Sequence, residues 1–234
     1  MRYSKTVRAI FLSRPNRFIA KVLSDGREET VHVKNTGRCK ELLIPGATVY
    51  LSVSDNPLRK TKYDLVAVEK TGEGREPILI NMDSSAPNEA VAEWIGTSGL
   101  FPEGTVFSRE VVKGNSRFDF SAECNEKVAY VEVKGVTLEE NGRVFFPDAP
   151  TERGLKHLRE LISLKEQGTD TYVIFVVQMK GASVFSPNAG THREFAEALR
   201  KANEVGVKLL AVDCKVSPDS MQIDGNIEID LSEY

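Results

Sequence analysis

Three charged residues stand inside two strand-like runs of the sequence, where apolar residues otherwise alternate. Asp119 is the centre of FDF, and Glu132 and Lys134 are the charged residues of VEVKG. If the two runs form a hairpin that turns at Asn125 and Glu126, residues whose numbers sum to 251 pair, so that Asp119 faces Glu132. Opposed side chains on neighbouring strands have Cβ atoms about 4.5–5.5 Å apart.

Two carboxylates at that separation suggest a cation site. At about 5 Å they repel by roughly 3 kcal/mol at an effective dielectric of about 20. The ammonium group of Lys134 offsets part of this cost, and a bound divalent ion would offset the rest. Because carboxylate oxygens favour hard ions, the pattern predicts Mg²⁺ or Mn²⁺ at Asp119 and Glu132. The alternative is a solvent-facing cluster of ion pairs, which would contribute little.

The elements around this hairpin must hold it in a sheet. PNEAVAEWIG, with a proline near its start and a glycine at its end, predicts a helix before the hairpin. Another helix begins at the N-cap residue Thr151, and a third at a capping box of Thr191 and Glu194. TYVIFVVQ and VKLLAVDC are apolar runs typical of strands buried on both faces. Residues 81–234 are therefore predicted to form a mixed α/β domain, a sheet flanked by helices.

Residues 1–80 have a different pattern, of short β-rich runs separated by turns. The runs are VRAIFLS, RFIAKVLS, EETVHVKN, ATVYLSVS and YDLVAVEK, with turn signals DG, NTG, IPG and DNP between them. Such strands without a convincing amphipathic helix predict a small closed barrel, of which the five-stranded OB type is the best-populated choice. The chain is therefore predicted to hold two domains, an OB-like β-barrel over 1–80 and the α/β domain over 81–234.

The composition is that of a globular protein, with 41% hydrophobic and 28% charged residues among 234. No apolar run approaches the roughly 20 residues that span a bilayer, and Arg and Lys interrupt the N-terminal segment too often for a signal peptide. Cys39, Cys124 and Cys214 have neither disulfide-framework nor zinc spacing. These features predict a protein of the reducing cytoplasm without membrane contact.

The charge is divided unevenly along the chain. Residues 1–80 carry 15 basic and 9 acidic residues, a net +6, whereas the rest carries 16 basic and 25 acidic residues, a net −9. A basic barrel fits a polyanion such as DNA, single- or double-stranded, or RNA; ordinary charge scatter explains the numbers equally well. Phe18 offers a stacking face of the kind that OB barrels use. The candidates for phosphate contacts are Arg8, Arg14, Arg17, Lys34, Arg38, Arg59, Lys60 and Lys62.

A second polar constellation lies at the start of the helix predicted for 151–167. Arg153 and His157 are four residues apart, so we expect them to share its polar face. They would stand near the positive N-terminal end, which is a natural seat for a phosphate. The alternative is that Thr151 only caps the helix and that both side chains are solvated.

Two resemblances follow from these motifs. The order of helix, hairpin with Asp119 and the ExK triplet at 132–134, helix and buried strand resembles the core of the PD-(D/E)XK nuclease superfamily, although Phe118 stands where that pattern has proline. Five further motifs, spread over nearly the whole chain, resemble the SfsA family, the sugar fermentation stimulation proteins. They are NTGR at 35–38, SDN at 54–56, SRFDF at 116–120, VEVKGVTL at 131–138 and FPDAPTERGLKHLREL at 146–161.

The resemblance implies an OB-like domain, a nuclease-like domain, largely non-specific DNA binding and a regulatory role in bacterial sugar use. It further implies that Asp119 and Glu132 are metal ligands and that Lys134 positions or polarises the attacking water. Glu93 matches the helix acid of the nuclease pattern. Helical periodicity argues against this role for Glu93, since it places the residue roughly opposite the apolar stripe of its helix.

Two functions stay open on the sequence. One is metal-dependent phosphodiester hydrolysis by a DNA-binding protein, and the other is a non-enzymatic DNA-binding regulator that keeps the metal site as a relic. A sugar-phosphate or nucleotide binder is less well supported, because GEGRE at 72–76 is too short for a glycine-rich phosphate loop. The sequence leaves the oligomeric state open, a homodimer included.

Overall fold

The computed structural model describes residues 1–35, 37–72 and 75–232. Thr36 of the NTGR motif and two residues of the GEGRE segment lie outside the described residues. The N-terminal strands are β1 (Thr6–Asn16), β2 (Ile19–Ser24), β3 (Arg27–Val33), β4 (Thr48–Val53), β5 (Tyr63–Gly72) and β6 (Arg75–Asn81).

The first five strands close into a barrel. β1 pairs with β2 and β4, β2 pairs with β3, and β4 pairs with β5, all antiparallel. A short parallel pairing of β3 with β5, at His32–Asp64 and Val33–Leu65, completes the ring. This is the OB-like barrel that the sequence predicts. β6, a strand missing from the prediction, continues antiparallel from β5 and leads the chain out of the barrel.

The second half of the chain contains three helices and ten strands within the described residues. The helices are α1 (Ala86–Trp94), α2 (Glu152–Glu166) and α3 (Arg193–Glu204), with a 3-10 turn at Ile95–Thr97. The strands are β7 (Val106–Lys113), β8 (Ser116–Cys124), β9 (Lys127–Val136), β10 (Leu138–Glu140), β11 (Arg143–Phe146), β12 (Asp170–Val177), β13 (Val184–Pro187), β14 (Lys208–Ser217), β15 (Ser220–Asn226) and β16 (Glu228–Ile229).

The main sheet of this half has the order β15-β14-β12-β9-β8-β7. β9, β12 and β14 run parallel, and β8, β7 and β15 pair antiparallel at the two sides. α1 packs on one face, against Phe120 and Val131, while α2 and α3 cover the other face, against Val173 and Phe175. The mixed sheet flanked by helices is thus confirmed, and β12 is buried on both faces as its apolar sequence predicts.

Two details differ from the sequence prediction. A small sheet of order β10-β11-β13-β16 stands beside the main one, and its strands are too short to give a readable period. α3 starts at Arg193 with His192 as its N-cap residue and no side-chain cap, so the capping box of Thr191 and Glu194 is wrong. Thr151 does cap α2, since its Oγ1 accepts a hydrogen bond from the backbone N–H of Gly154 at 3.1 Å.

The barrel and the α/β half share one hydrophobic core that includes Phe11 and Leu65 from the barrel and Phe175 and Phe195 from the other half. The side-chain amide of Gln178 reinforces the junction by donating to the backbone carbonyls of Asn81 and Asp83. β6 ends at Asn81, but the division at 80/81 stays a prediction. None of the described helices is long and apolar enough to cross a membrane.

Candidate functional site

The β8–β9 hairpin has the predicted register. Phe120 pairs with Val131 and Cys124 with Lys127, and the turn residues Asn125 and Glu126 both have positive φ, 48° and 63°. Two left-handed residues are the geometry of a type I′ turn, whose twist matches that of the strands. The paired positions end at Phe120–Val131, so the next residue on each strand stands where the two strands part.

Asp119 is the residue of β8 at that point. One carboxylate oxygen accepts a hydrogen bond from the backbone N–H of Val133 at 2.7 Å, in place of a strand partner. The other oxygen accepts from the side-chain amide of Asn88 in α1, also at 2.7 Å. Burial and the nearby charge of Glu132 raise the pKa of Asp119 above its usual value. The two acids are therefore close enough to repel, as the register predicts.

Glu132 is 3% exposed, and its two carboxylate oxygens have different surroundings. Oε1 accepts hydrogen bonds from Lys134 Nζ and, at 2.6 Å, from His157 Nδ1. Oε2 is buried and has no hydrogen-bond partner among the residues that the structure describes. Although burial favours the neutral acid, the hydrogen bond from His157 and the ammonium of Lys134 lower the pKa of Glu132. Glu132 thus presents one ionised, unpartnered oxygen inside the protein.

His157 is the residue that the sequence prediction misplaced. It is 6% exposed and faces the sheet, whereas Arg153 is exposed on the outside of α2, so the two do not share a polar face. A signal was available, because Gly154, His157, Leu158 and Leu161 have the spacing of a buried helical stripe. A carboxylate oxygen only accepts, so His157 must carry a proton on Nδ1.

The structure places Glu93 at the protein surface. Its side chain is 63% exposed and pairs with the N-terminal amine of Met1 at 2.5 Å. This exposure agrees with the helical periodicity, which places Glu93 opposite the apolar stripe of α1; its assignment as a catalytic acid stays a prediction. The α1 residue that does reach the site is Asn88, which the sequence analysis missed because an amide gives no charge pattern.

Two of the barrel cations predicted to contact phosphate have hydrogen-bond partners within the protein. Arg14 donates to the backbone carbonyls of Arg17, Asn35, Gly37 and Arg38, at 2.7 to 3.0 Å, and thereby holds the loop before Cys39 in place. Lys34 donates to Asp83, a fully buried carboxylate, at 2.6 Å. Sequence alone cannot reveal such partners, because they come from distant segments.

Other predicted cations stay at the surface. Arg8 is exposed and donates to the hydroxyl of Thr48 at 3.1 Å. Arg17 stands 5.4 Å from the ring centroid of Phe18, an aromatic side chain that is 49% exposed. Arg38 is exposed as well. Of the remaining candidates Arg59, Lys60 and Lys62, which lie in the β4–β5 loop, Arg59 is paired with Asp64 at 2.6 Å.

The donor set fits a hard divalent ion. The described residues contain no group of three or more His, Cys, Asp or Glu side chains that could hold a metal by themselves. Two carboxylates, however, are enough for an ion such as Mg²⁺, which keeps several waters and takes substrate phosphate oxygens as ligands. The charges of Asp119 and Glu132 interact, and the unpartnered Oε2 of Glu132 is the buried charge that such an ion would satisfy.

Comparison with known proteins identifies both halves of the chain. Residues 85–220 match the family model described as the sugar fermentation stimulation protein RE domain, and residues 12–80 match the SfsA N-terminal OB domain. A sugar fermentation stimulation protein homolog of Clostridium beijerinckii is 52% identical to this chain. The match covers 99% of this chain and the full length of the relative. One of Desulfitobacterium hafniense (strain Y51) is 52% identical over the full length of both chains.

A solved structure shows the same architecture. The structure of Pyrococcus furiosus SfsA in complex with Ca²⁺ has a TM-score of 0.85 to this chain, with 31% sequence identity and 98% of both chains covered. The identities, the coverage and the two matched domain models agree with each other. The chain therefore belongs to the SfsA family of sugar fermentation stimulation proteins.

Proposed function

We propose that this protein binds DNA largely without sequence specificity and hydrolyses phosphodiester bonds with a divalent metal ion, Mg²⁺ or Mn²⁺. The observation that carries the proposal is the buried, ionised and unpartnered Oε2 of Glu132, which stands beside Asp119 in a hairpin that also presents Lys134. The Ca²⁺ in the Pyrococcus furiosus relative supports a hard divalent ion. A cytoplasmic location and a role in sugar use stay predictions.

The residues of the site divide the work of such a reaction. Asp119 and Glu132 would hold the ion, and the ion, when bound, supplies Lewis-acid stabilisation of the phosphate and a more acidic water. His157 fixes the orientation of the Glu132 carboxylate through Oε1. Lys134, whose ammonium group lies against the same oxygen, would hold the attacking water in line with the phosphate. Asn88 orients Asp119 in the same way.

The barrel supports the binding half of the proposal. OB barrels bind oligonucleotides with the face of strands 2 and 3 and with the loops between strands 1 and 2 and between strands 4 and 5. In this chain the β1–β2 loop holds Arg17 and Phe18, and the β4–β5 loop holds Lys60 and Lys62. An exposed aromatic ring with a neighbouring guanidinium is a sequence-independent stacking platform for a base and its phosphate.

A second candidate function is a DNA-binding regulator that keeps the metal site as a relic. One observation favours it, namely that the Lys134 ammonium is ion-paired with Glu132, so that only part of its donor capacity is left for a water. The two candidates share the same binding surface and differ only in whether a phosphodiester bond is broken.

Cleavage by purified protein separates the candidates. Wild type is incubated with single- and double-stranded DNA and with RNA, in Mg²⁺ and in Mn²⁺, beside Lys134→Ala, Asp119→Ala and Lys127→Ala. Lys127 is an exposed lysine at the turn of the same hairpin, so its removal is the matched control. We expect a loss of at least ~100-fold for Lys134→Ala, an unchanged rate for Lys127→Ala and DNA affinity nearly intact in both. Absence of wild-type cleavage on every substrate favours the regulator.

A further inference from the structure

Two surface grooves lie on either side of the start of α2. The first, called here the barrel groove, has a volume of about 740 Å³ and runs between the barrel and the segment 146–151, lined among others by Arg17, Arg38 and Lys40. The second, called the α2 groove, has about 760 Å³ and lies between α2 and the β7–β8 turn. Thr151 lines the barrel groove and its neighbour Glu152 lines the α2 groove, so the two adjoin at that residue pair.

The α2 groove is unexpectedly basic for its half of the chain. Residues 81–234 carry a net charge of −9, with 16 basic and 25 acidic residues. The groove nevertheless concentrates four cations against two acids, Glu152 and Glu160. The cations are Arg117, Arg153, Lys156 and Arg159. A local excess of positive charge on an acidic domain is therefore a specific feature of this surface and not a consequence of composition.

Two of these cations are available to a ligand. Arg153 and Lys156 are exposed, and neither has an acidic partner within 4.0 Å among the described residues. Lys156 donates to the backbone carbonyl of Asn115 at 2.7 Å, which holds it at the β7–β8 turn. Arg117 is paired with Glu110 at 2.9 Å and Arg159 with Glu194 at 3.8 Å, and both acids are half exposed or more. Exposed ion pairs of this kind contribute little to stability, so a phosphate can replace the acid as the partner of the arginine.

The α2 groove also reaches the candidate metal site. His157 lines it, and the same imidazole donates to Glu132 Oε1 at 2.6 Å. A strand lying in the α2 groove would therefore run one side chain away from the carboxylate that is proposed to hold the metal. At the other end the barrel groove includes Asn16 and Arg17, next to the exposed ring of Phe18.

We propose that a single strand of nucleic acid lies across both grooves, with its phosphates on the cations of the barrel groove and of the α2 groove and a base stacked on Phe18. This inference rests on the proposed function and names its substrate, a single strand held by both halves of the chain. Aromatic stacking combined with a cationic channel is the way in which single strands are held without sequence preference. The acidic half of the protein is thereby a binding element as well as a catalytic one.

Binding of a fluorescein-labelled oligothymidylate to the full chain, followed by anisotropy in EDTA over a range of salt concentrations, tests the proposal. Arg153→Ala/Lys156→Ala is compared with Lys201→Ala/Lys215→Ala, which removes two exposed cations that line neither groove. The slope of log K against log salt changes by about 0.7 for each phosphate contact of a single strand. We expect the groove variant to bind roughly tenfold more weakly with a slope about 1.4 shallower, and the control to match wild type.

Four outcomes overturn the inference. Equal slopes and affinities in the two double variants mean that the α2 groove holds no phosphate. An unchanged affinity of Phe18→Ala for the oligothymidylate, or tighter binding of the matching duplex by wild type, means that the occupant is not a stacked single strand. Wild type that binds no nucleic acid removes the proposed function together with the inference. Expected slopes without any cleavage in Mg²⁺ or Mn²⁺ leave the inference standing and remove only the catalytic half of the proposed function.

Discussion

At the scale of single residues, the candidate site depends on how the oxygens of two carboxylates are shared. Glu132 gives Oε1 to His157 and Lys134 and leaves Oε2 without a partner among the described residues, while both oxygens of Asp119 accept a hydrogen bond. The pKa of Glu132 is lowered and that of Asp119 is raised. Glu132 is thus kept ionised, and its negative charge makes ionisation of Asp119 less favourable. A divalent ion bound between the two carboxylates would relieve this repulsion.

Asp119→Asn is expected to stabilise the protein in EDTA at pH 7. Burial and the charge of Glu132 raise the pKa of Asp119, so the folded state binds the proton more tightly than the unfolded state does. Ionised Asp119 therefore destabilises the folded state. This destabilisation is absent below the unfolded pKa of about 4 and grows as the pH rises through the folded pKa. The free-energy advantage of the variant in urea unfolding should therefore increase from about pH 4 to pH 7.

A divalent metal ion should make wild type more stable than Asp119→Asn. Mn²⁺ is expected to raise the melting temperature of wild type by mass action, and Asp119→Asn should lose that response. Asp55→Asn, which changes an exposed carboxylate of the barrel, is the control and should respond as wild type does. Equal metal-induced shifts in wild type and Asp119→Asn would mean that the pair of acids is an ordinary charge cluster.

His157→Leu should destabilise the folded protein by about 1–3 kcal/mol, because it leaves the buried carboxylate of Glu132 without one of its two donors. His157→Asn keeps a donor near the position of Nδ1 and is expected to recover part of that loss. Urea unfolding of the three proteins in EDTA gives the comparison. A Leu variant as stable as the Asn variant would show that the hydrogen bond from α2 does not matter for the fold.

At the scale of elements, sequence periodicity predicted those features of the strands that depend on residues close together in the sequence. The alternation in β8 and β9 was enough to fix their register and turn, and the apolar run of β12 was enough to place it in the interior. Residues whose partners are distant in sequence were not predictable in the same way. Arg14 and Lys34 read as surface cations, yet one organises a loop and the other neutralises a buried Asp83. β6, which pairs with β5, was not predicted either.

The β8–β9 turn offers a test of the register at this scale. Glu126 has a φ of 63°, a left-handed conformation that costs an ordinary residue roughly 1 kcal/mol and costs glycine nothing. Glu126→Gly is therefore expected to raise the free energy of unfolding by about 0.5–1 kcal/mol. Glu123→Gly, in the paired part of β8, should lower it by about the same amount. Thermal or urea unfolding in which both glycines destabilise would contradict the type I′ turn.

At the scale of the whole molecule, the two halves act as one body, because they share a core and a polar junction. The contact nearest to the proposed strand path is that of Gly37 with Asp148. A Cβ atom at Gly37 would lie 2.2 Å from a carboxylate oxygen of Asp148 and 2.8 Å from the side-chain oxygen of Asn35. A side chain at this position would have to displace the ends of the Asp148 and Asn35 side chains, because the loop that Arg14 holds lies close to the segment before α2.

Gly37→Ala should therefore displace the Asp148 carboxylate, which lines the barrel groove, and alter the contact between the barrel loop and the segment 146–151. We expect a loss of about 1–3 kcal/mol in the free energy of unfolding, as for an overpacked site, together with weaker binding of the labelled oligothymidylate. Gly190→Ala is the matched control, since the nearest atom to its added Cβ is 3.6 Å away, an ordinary contact. If Gly37→Ala binds the strand as tightly as Gly190→Ala while losing stability, the junction serves the fold alone. If the affinity falls with the stability, the spacing between the two halves sets the path of the strand towards Asp119 and Glu132.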